Sequence, residues 1–215
     1  MTITTEQLIK AFVDTLYMVS FSLLIGVIIA IPLAVTLVLT RENGILQNRI
    51  IYNILNFVIN ILRSLPFIIL LVAIMPFTKL VVGTSIGIKA AIVPLIVYIA
   101  PYIARLIENS LLEVDRGIIE TSQAMGATPY QVVRYFLLPE ALPSLVLSIT
   151  TATIGLIGAT AMAGTVGAGG VGDLAISYGY ARFDTIVMVI TVVILIFVVQ
   201  FIQNIGNLIS KKIRH

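Results

Sequence analysis

The chain is 215 residues long, 59% hydrophobic and only 11% charged, with 13 basic and 10 acidic residues, a formal charge of +3 and a mean hydropathy of +1.11. Soluble domains run at about 45–50% apolar and about 25% charged residues, so this chain has too little charge to clothe a water-facing surface, and its composition fits lipid as solvent. It has no cysteine and one histidine, His215, which excludes a disulfide framework, thiolate metal sites, His-rich metal sites and a Ser-His-Asp relay.

A bilayer core about 30 Å thick needs about 20 mostly apolar residues per helix, and five stretches are candidates. The first, Thr15 to Thr40, contains no ionisable side chain. It is too long for the apolar region of a cleaved signal peptide and follows Glu6, Lys10 and Asp14, so it reads as a retained span.

The second, about Asn53 to Phe77, is interrupted by Arg63, Ser64 and Pro66, the mark of a broken helix. Its Asn53, Asn56 and Asn60 recur at helical spacing and suit interhelical hydrogen bonds. Arg63 is the one ionisable residue well inside a predicted span and must face protein, a polar cavity or the interface. Contact with substrate, pairing with an acid such as Glu108, and snorkelling to the cytoplasmic interface are the open readings. The third span, about Ile86 to Leu106, carries Lys89 and Arg105 near its ends.

Next comes the main polar surface, with Arg105, Glu108, Glu113, Asp115, Arg116, Glu120, Arg134 and Glu140 between the third and fourth spans. Gly117 to Met125 reads as a short helix stopped by Gly126, since glycine accepts the left-handed conformation that closes a helix. A second helix starts at once, because Thr128-Pro129-Tyr130-Gln131 offers an N-cap, a first-turn proline and a Gln three residues on. It runs through Val132, Val133 and Phe136 until Pro139 and Pro143 bend the chain into the next span. The product is a helical elbow, either a docking knob or an interfacial helix pair that only connects spans.

The fourth span lies between Ala141 and about Ala163, where the chain turns glycine-rich. Gly155, Ala159, Ala163 and Gly167 recur every four residues, a small-residue stripe that permits close helix packing or lines a path. Met162 beside it is either core or an adaptable plug for a narrow pathway. Gly167 to Gly172 spells G-x-G-x-x-G, but it follows an apolar span rather than a strand, so it reads as a flexible external loop and not as a dinucleotide fingerprint. No G-x-x-x-x-G-K-[ST] occurs, so any ATPase acts in trans.

The fifth span, Thr185 to Ser210, precedes Lys211, Lys212 and Arg214. With Arg41, Arg49, Arg105, Arg116 and Arg134 these outnumber Lys10, Lys79, Lys89 and Arg182 on the other side, so the positive-inside rule predicts a cytoplasmic C-terminus and an external N-terminus.

Glu120-Thr121-Ser122, then Gly126, then Leu138-Pro139 resembles the EAA loop of ABC importer permeases, with Thr121 and Ser122 where alanine is usual and Phe136 where isoleucine is usual. Arg63-Ser64-Leu65-Pro66-Phe67, Gly83-Thr84-Ser85-Ile86-Gly87, Ala124 to Pro129 and Gly167 to Gly172, in that order, are similar to the permeases of methionine ABC importers.

The resemblance implies an all-α integral membrane protein of five transmembrane helices, one domain over residues 1–215 with its core at about 11–210 and a cytoplasmic coupling loop at about 107–140. It implies a non-enzymatic homodimeric permease in the cell membrane, with two ATP-binding cassette subunits that bind ATP and Mg, an external substrate-binding protein and a small amino acid as cargo, and no nucleic acid. Glu120, Ala124, Met125, Gly126, Ala127, Thr128 and Pro129 are then expected to dock the ATPase. Met162, Ala159 and Ala163 are expected at the pathway or gate, and Arg63 and Ser64 on a polar path or interface. An ion-coupled secondary transporter is the alternative, but it wants acids within the spans or broken-helix ion sites, and this reading places no acid mid-span.

Overall fold

In a computed structural model of the protein, residues 3–214 are described; His215 lies outside them. Among the described residues, four helices are long and apolar enough to cross a membrane, and a bent pair supplies a fifth crossing if its two arms count as one.

Helix α1, Thr5–Thr40, opens ten residues before the expected span. A reciprocal capping box sets its start, with the Thr4 hydroxyl accepting from Gln7 N–H and the Gln7 side chain from Thr4 N–H. The second span is α2, Arg49–Ser64, and α3, Phe67–Ala73, bent by 104° at the expected break. Pro66 forces this, since it disfavours helical backbone at Leu65, which is extended. Helix α4, Met75–Val82, ends on left-handed Gly83.

Helix α5, Ile88–Leu112, is the hub and packs on α1, α2, α3, α4 and the later helix Leu138–Ala163. It ends six residues later than expected, because nothing after Leu106 breaks the helix until Glu113. Glu108 therefore lies inside a candidate span and is 3% exposed, not in the polar loop where the sequence placed it. The α1–α5 crossing is close: a Cβ on Gly26 would lie 2.7 Å from Ile99 Cγ2.

After α6, Arg116–Ala124, comes α7, Pro129–Gln131, which runs without interruption through a π-helical segment, Val132–Leu137, into α8, Leu138–Ala163. The expected bend at Pro139 is replaced by a continuous helix, Pro129–Val166. Wider π hydrogen bonding, such as Leu138 N–H to Val133 C=O, carries the chain up to the proline, which falls in the first turn of α8, where a missing N–H costs least. Helix α8 ends at Ala163, as expected. The short α9, Val171–Leu174, and a second π-helical segment, Ala175–Tyr180, lead to α10, Thr185–Ile213.

Gly167 to Gly172 is not a loose loop. Ala168, Val171 and Gly172 are buried, and three left-handed glycines fold the backbone against α1. The Thr15 hydroxyl accepts the Val171 N–H at 2.9 Å in a buried setting. Thr15→Val is expected to lower stability by about 1–3 kcal/mol, because it orphans a buried amide, whereas Thr15→Ser stays close to wild type. The midpoint of thermal unfolding in detergent checks both.

Most hydroxyls within the spans are satisfied locally, the buried Ser22 Oγ being left without a partner among the described residues. Thr36, Thr40, Thr150, Thr153 and Thr191 each donate to a carbonyl four residues back. Ser110 with Ser148 at 2.8 Å ties α5 to α8, and Ser210 donating to Pro143 C=O at 2.9 Å ties α10 to α8.

Candidate functional site

The elbow is built as a rigid corner. The Asp115 side chain caps α6 by accepting from Gly117 N–H at 2.6 Å. At the other end Gly126 has φ +81°, Ala127 N–H reaches Ser122 C=O at 3.1 Å and Gly126 N–H reaches Gln123 C=O at 2.9 Å, the bonding pattern of a Schellman motif. Two residues on, Gln131 Oε1 accepts from Thr128 N–H at 2.8 Å while the Thr128 hydroxyl accepts from Gln131 N–H at 3.4 Å. Both helix ends are thus closed by their own residues.

Ser122 and Val132 are fully buried beneath the corner, whereas Glu120, Ala124, Gly126 and Thr128 are exposed and Ala127 and Pro129 half-buried. The apex carries two large apolar side chains facing outward, Met125 at 75% and Tyr130 at 72% exposure. Hollows of about 700 Å³ and about 720 Å³ flank its root. The first is lined by Arg41, Glu42, Arg116 and Glu120, the second by Glu113, Asp115, Glu140 and Arg214.

On α8 the expected pathway residues separate. Ala159 and Ala163 are buried and pack within the protomer, while Met162 is 46% exposed. The stripe divides with them: a Cβ on Gly155 would meet nothing within 4 Å, and Gly167 lies beyond the helix in a left-handed turn. Thr151, Gly158, Met162 and Thr165 share one exposed face, which periodicity four had assigned to different residues.

The α2–α5 seam holds the chain's polar network. Arg105 Nη1 is 2.6 Å from Glu108 Oε2, and Arg105 Nη2 donates to Asn56 Oδ1 at 2.6 Å and Asn60 Oδ1 at 3.0 Å. Glu108 therefore pairs with Arg105 and not with Arg63. The i,i+3 spacing of Arg105 and Glu108 was a usable signal for the pair; its interhelical partners were not legible before α2 and α5 were docked. Asn53 stands outside the network on an exposed face. Arg63 and Ser64 are exposed at the end of α2, where the Arg63 guanidinium lies 5.9 Å from the centroid of the Tyr102 ring and the Ser64 hydroxyl donates to Ile61 C=O at 2.8 Å.

Residues 22–215 match the profile of the family described as binding-protein-dependent transport system inner membrane components. The chain belongs to this family.

Among the relatives of this inner membrane component is the probable D-methionine transport system permease protein MetI of Vibrio cholerae, 49% identical over 98% of this chain and 94% of that protein. The D-methionine transport system permease protein MetI of Escherichia coli K12 is 52% identical over 73% of this chain and 72% of that protein. A chain of the MetNI methionine ABC transporter, in an inward-facing conformation, superposes with a TM-score of 0.96 at 47% identity and covers 98% of both chains. An amino acid ABC transporter chain at 19% identity has a TM-score of 0.78, a likeness of fold alone.

Proposed function

We propose that this multi-pass membrane protein is the permease subunit of an ATP-driven importer and forms, as a homodimer, the pathway for an amino acid, methionine by preference. The observation that carries the proposal is the near-complete superposition on a chain of an inward-facing methionine ABC transporter. Two ATPase subunits bind ATP and Mg and drive the cycle, an external binding protein delivers the substrate, and this chain performs no catalysis itself.

The membrane component is one domain spanning residues 1–215, with its N-terminus external and its C-terminus cytoplasmic in the cell membrane. Residues Glu120 and Ala124 to Pro129 dock the ATPase. An exposed apolar apex on a corner closed at both helix ends, flanked by two hollows, fits a knob that enters a groove and transmits force. Met162 faces the pathway, whereas Ala159 and Ala163 hold its helix in place. Nothing favours the ion-coupled alternative, since Glu108, the buried carboxylate among the described residues, is already engaged by Arg105.

The test acts on Gly126. Nothing lies within 4 Å of a Cβ placed there, so a substitution changes backbone preference and little else. Gly126→Val, forced into a left-handed conformation at a cost of about 1–2 kcal/mol or more, is expected to insert normally yet lower co-purification of the ATPase and ATP-dependent uptake by at least about tenfold. Gly126→Asn, which tolerates that conformation, retains most of both. Full coupling in Gly126→Val removes the elbow from the mechanism.

A further inference from the structure

Two rulers locate Arg63 along α2 and against α5. It stands 14 residues after the start of α2 at Arg49, about 21 Å at 1.5 Å per residue. The ring it lies over, Tyr102, stands 14 residues after the start of α5 at Ile88, again about 21 Å, and ten residues before its end at Leu112. Contacts from Arg105 to Asn56 and Asn60 and from Arg63 to Tyr102 run antiparallel along α2 and α5, so the guanidinium stands beside the middle of α5.

A charge within a membrane span requires a partner or water. Arg63 makes no hydrogen bond or ion pair with any described residue, and its side chain is exposed on the protomer. The nearby carboxylate, Glu108, is held by Arg105 and also feels Arg41 and Arg63, so cations exceed anions along this seam. Just beyond Arg63 the chain bends by 104° into α3, and Tyr102, Tyr98 and the buried Phe67 form one aromatic ladder beside it. Phe67 meets Tyr98 edge-on at 5.3 Å, and Tyr98 stacks on Tyr102 with ring planes 5° apart. An exposed cation beside half-buried aromatic rings at a helix break suits a ligand with a carboxylate and an apolar or cationic remainder.

We infer that Arg63, beside the Tyr98–Tyr102 stack at the α2–α3 break, faces the water-filled pathway and transiently binds the carboxylate of the amino acid in transit. This rests on the permease reading and adds a substrate contact within the membrane. One guanidinium without supporting donors holds such a ligand weakly, as passage demands.

The chain has no cysteine, so Ser64→Cys introduces its only thiol, next to Arg63. In membranes containing the assembled transporter, this variant is expected to react with a charged, membrane-impermeant methanethiosulfonate, read as a mass shift of this chain. Millimolar methionine should slow the reaction at least about threefold, methioninamide should not, and the protection should vanish in Arg63→Gln but persist in Arg63→Lys. Labelling only after detergent has dissolved the membrane would place the site against lipid and overturn the inference. So would equal protection by acid and amide, or protection that survives Arg63→Gln. The permease reading is tested separately by ATP-driven methionine uptake in the wild type, whose failure leaves the labelling result to stand or fall by itself.

Discussion

Glu108→Ala is expected to destabilise the protein by about 3–5 kcal/mol, the usual consequence of stripping one partner from a buried ion pair. Glu108 is 3% exposed, its Oε2 lies 2.6 Å from Arg105 Nη1, and Arg105 Nε has no acceptor of its own. Without the carboxylate, the guanidinium keeps only the Asn56 and Asn60 oxygens at 2.6 Å and 3.0 Å as neutral acceptors in an apolar seam. The double variant Arg105→Leu/Glu108→Leu should lose less than the sum of the single variants, since it removes both charges together. Unfolding midpoints of the purified protein in detergent measure the cycle. A Glu108→Ala variant within about 0.5 kcal/mol of wild type would show that the pair contributes nothing to the α2–α5 seam.

Gly172→Ala is expected to cost about 3 kcal/mol, the upper end for overpacking, and to lower the yield of folded protein sharply. The added Cβ would land on the Cα and Cβ of Ala161 and within 3.2 Å of its nitrogen. These are backbone and stub atoms of α8, so no rotamer change relieves the clash. Gly172 does not have positive φ, and the effect is therefore steric. Gly155→Ala, also in a glycine-bearing part of the chain, adds a Cβ that meets nothing within 4 Å, and the protomer should fold as before. Monodisperse yield and unfolding midpoint separate the two variants. A well-folded Gly172→Ala would mean that α8 and α9 stand farther apart than the structure has them.

Much of the fold was legible because lipid writes its requirements in composition. Apolar runs without charge marked α1 and α10, Pro66 marked the break between α2 and α3, and Gly126 with Thr128 marked both ends of the elbow, all from local backbone chemistry. Three features resisted. Pro139 was taken as a bend, but hydrogen-bond pitch can widen to a π-helical segment before a proline, and no side-chain pattern announces it. Glu108 was placed in a loop because charge argues for water, yet Arg105 sits one turn away on α5 and two asparagines wait on α2. The stripe from Gly155 to Gly167 was read as one face, but its alanines pack inward while Gly155 has open space.

The sequence by itself determined the solvent, the apolar runs, the break at Pro66 and the elbow's caps, because each depends on residues within a few positions of one another. Only the tertiary structure decided which face of each helix is buried, which carboxylate neutralises Arg105, how the glycine run closes on Thr15, and that Arg63 lies over the Tyr102 ring with no hydrogen bond or ion pair to any described residue. Those outcomes depend on how α1, α2, α5 and α8 dock. A stripe of helical periodicity shows that a face exists, but only the neighbouring helix determines what that face meets.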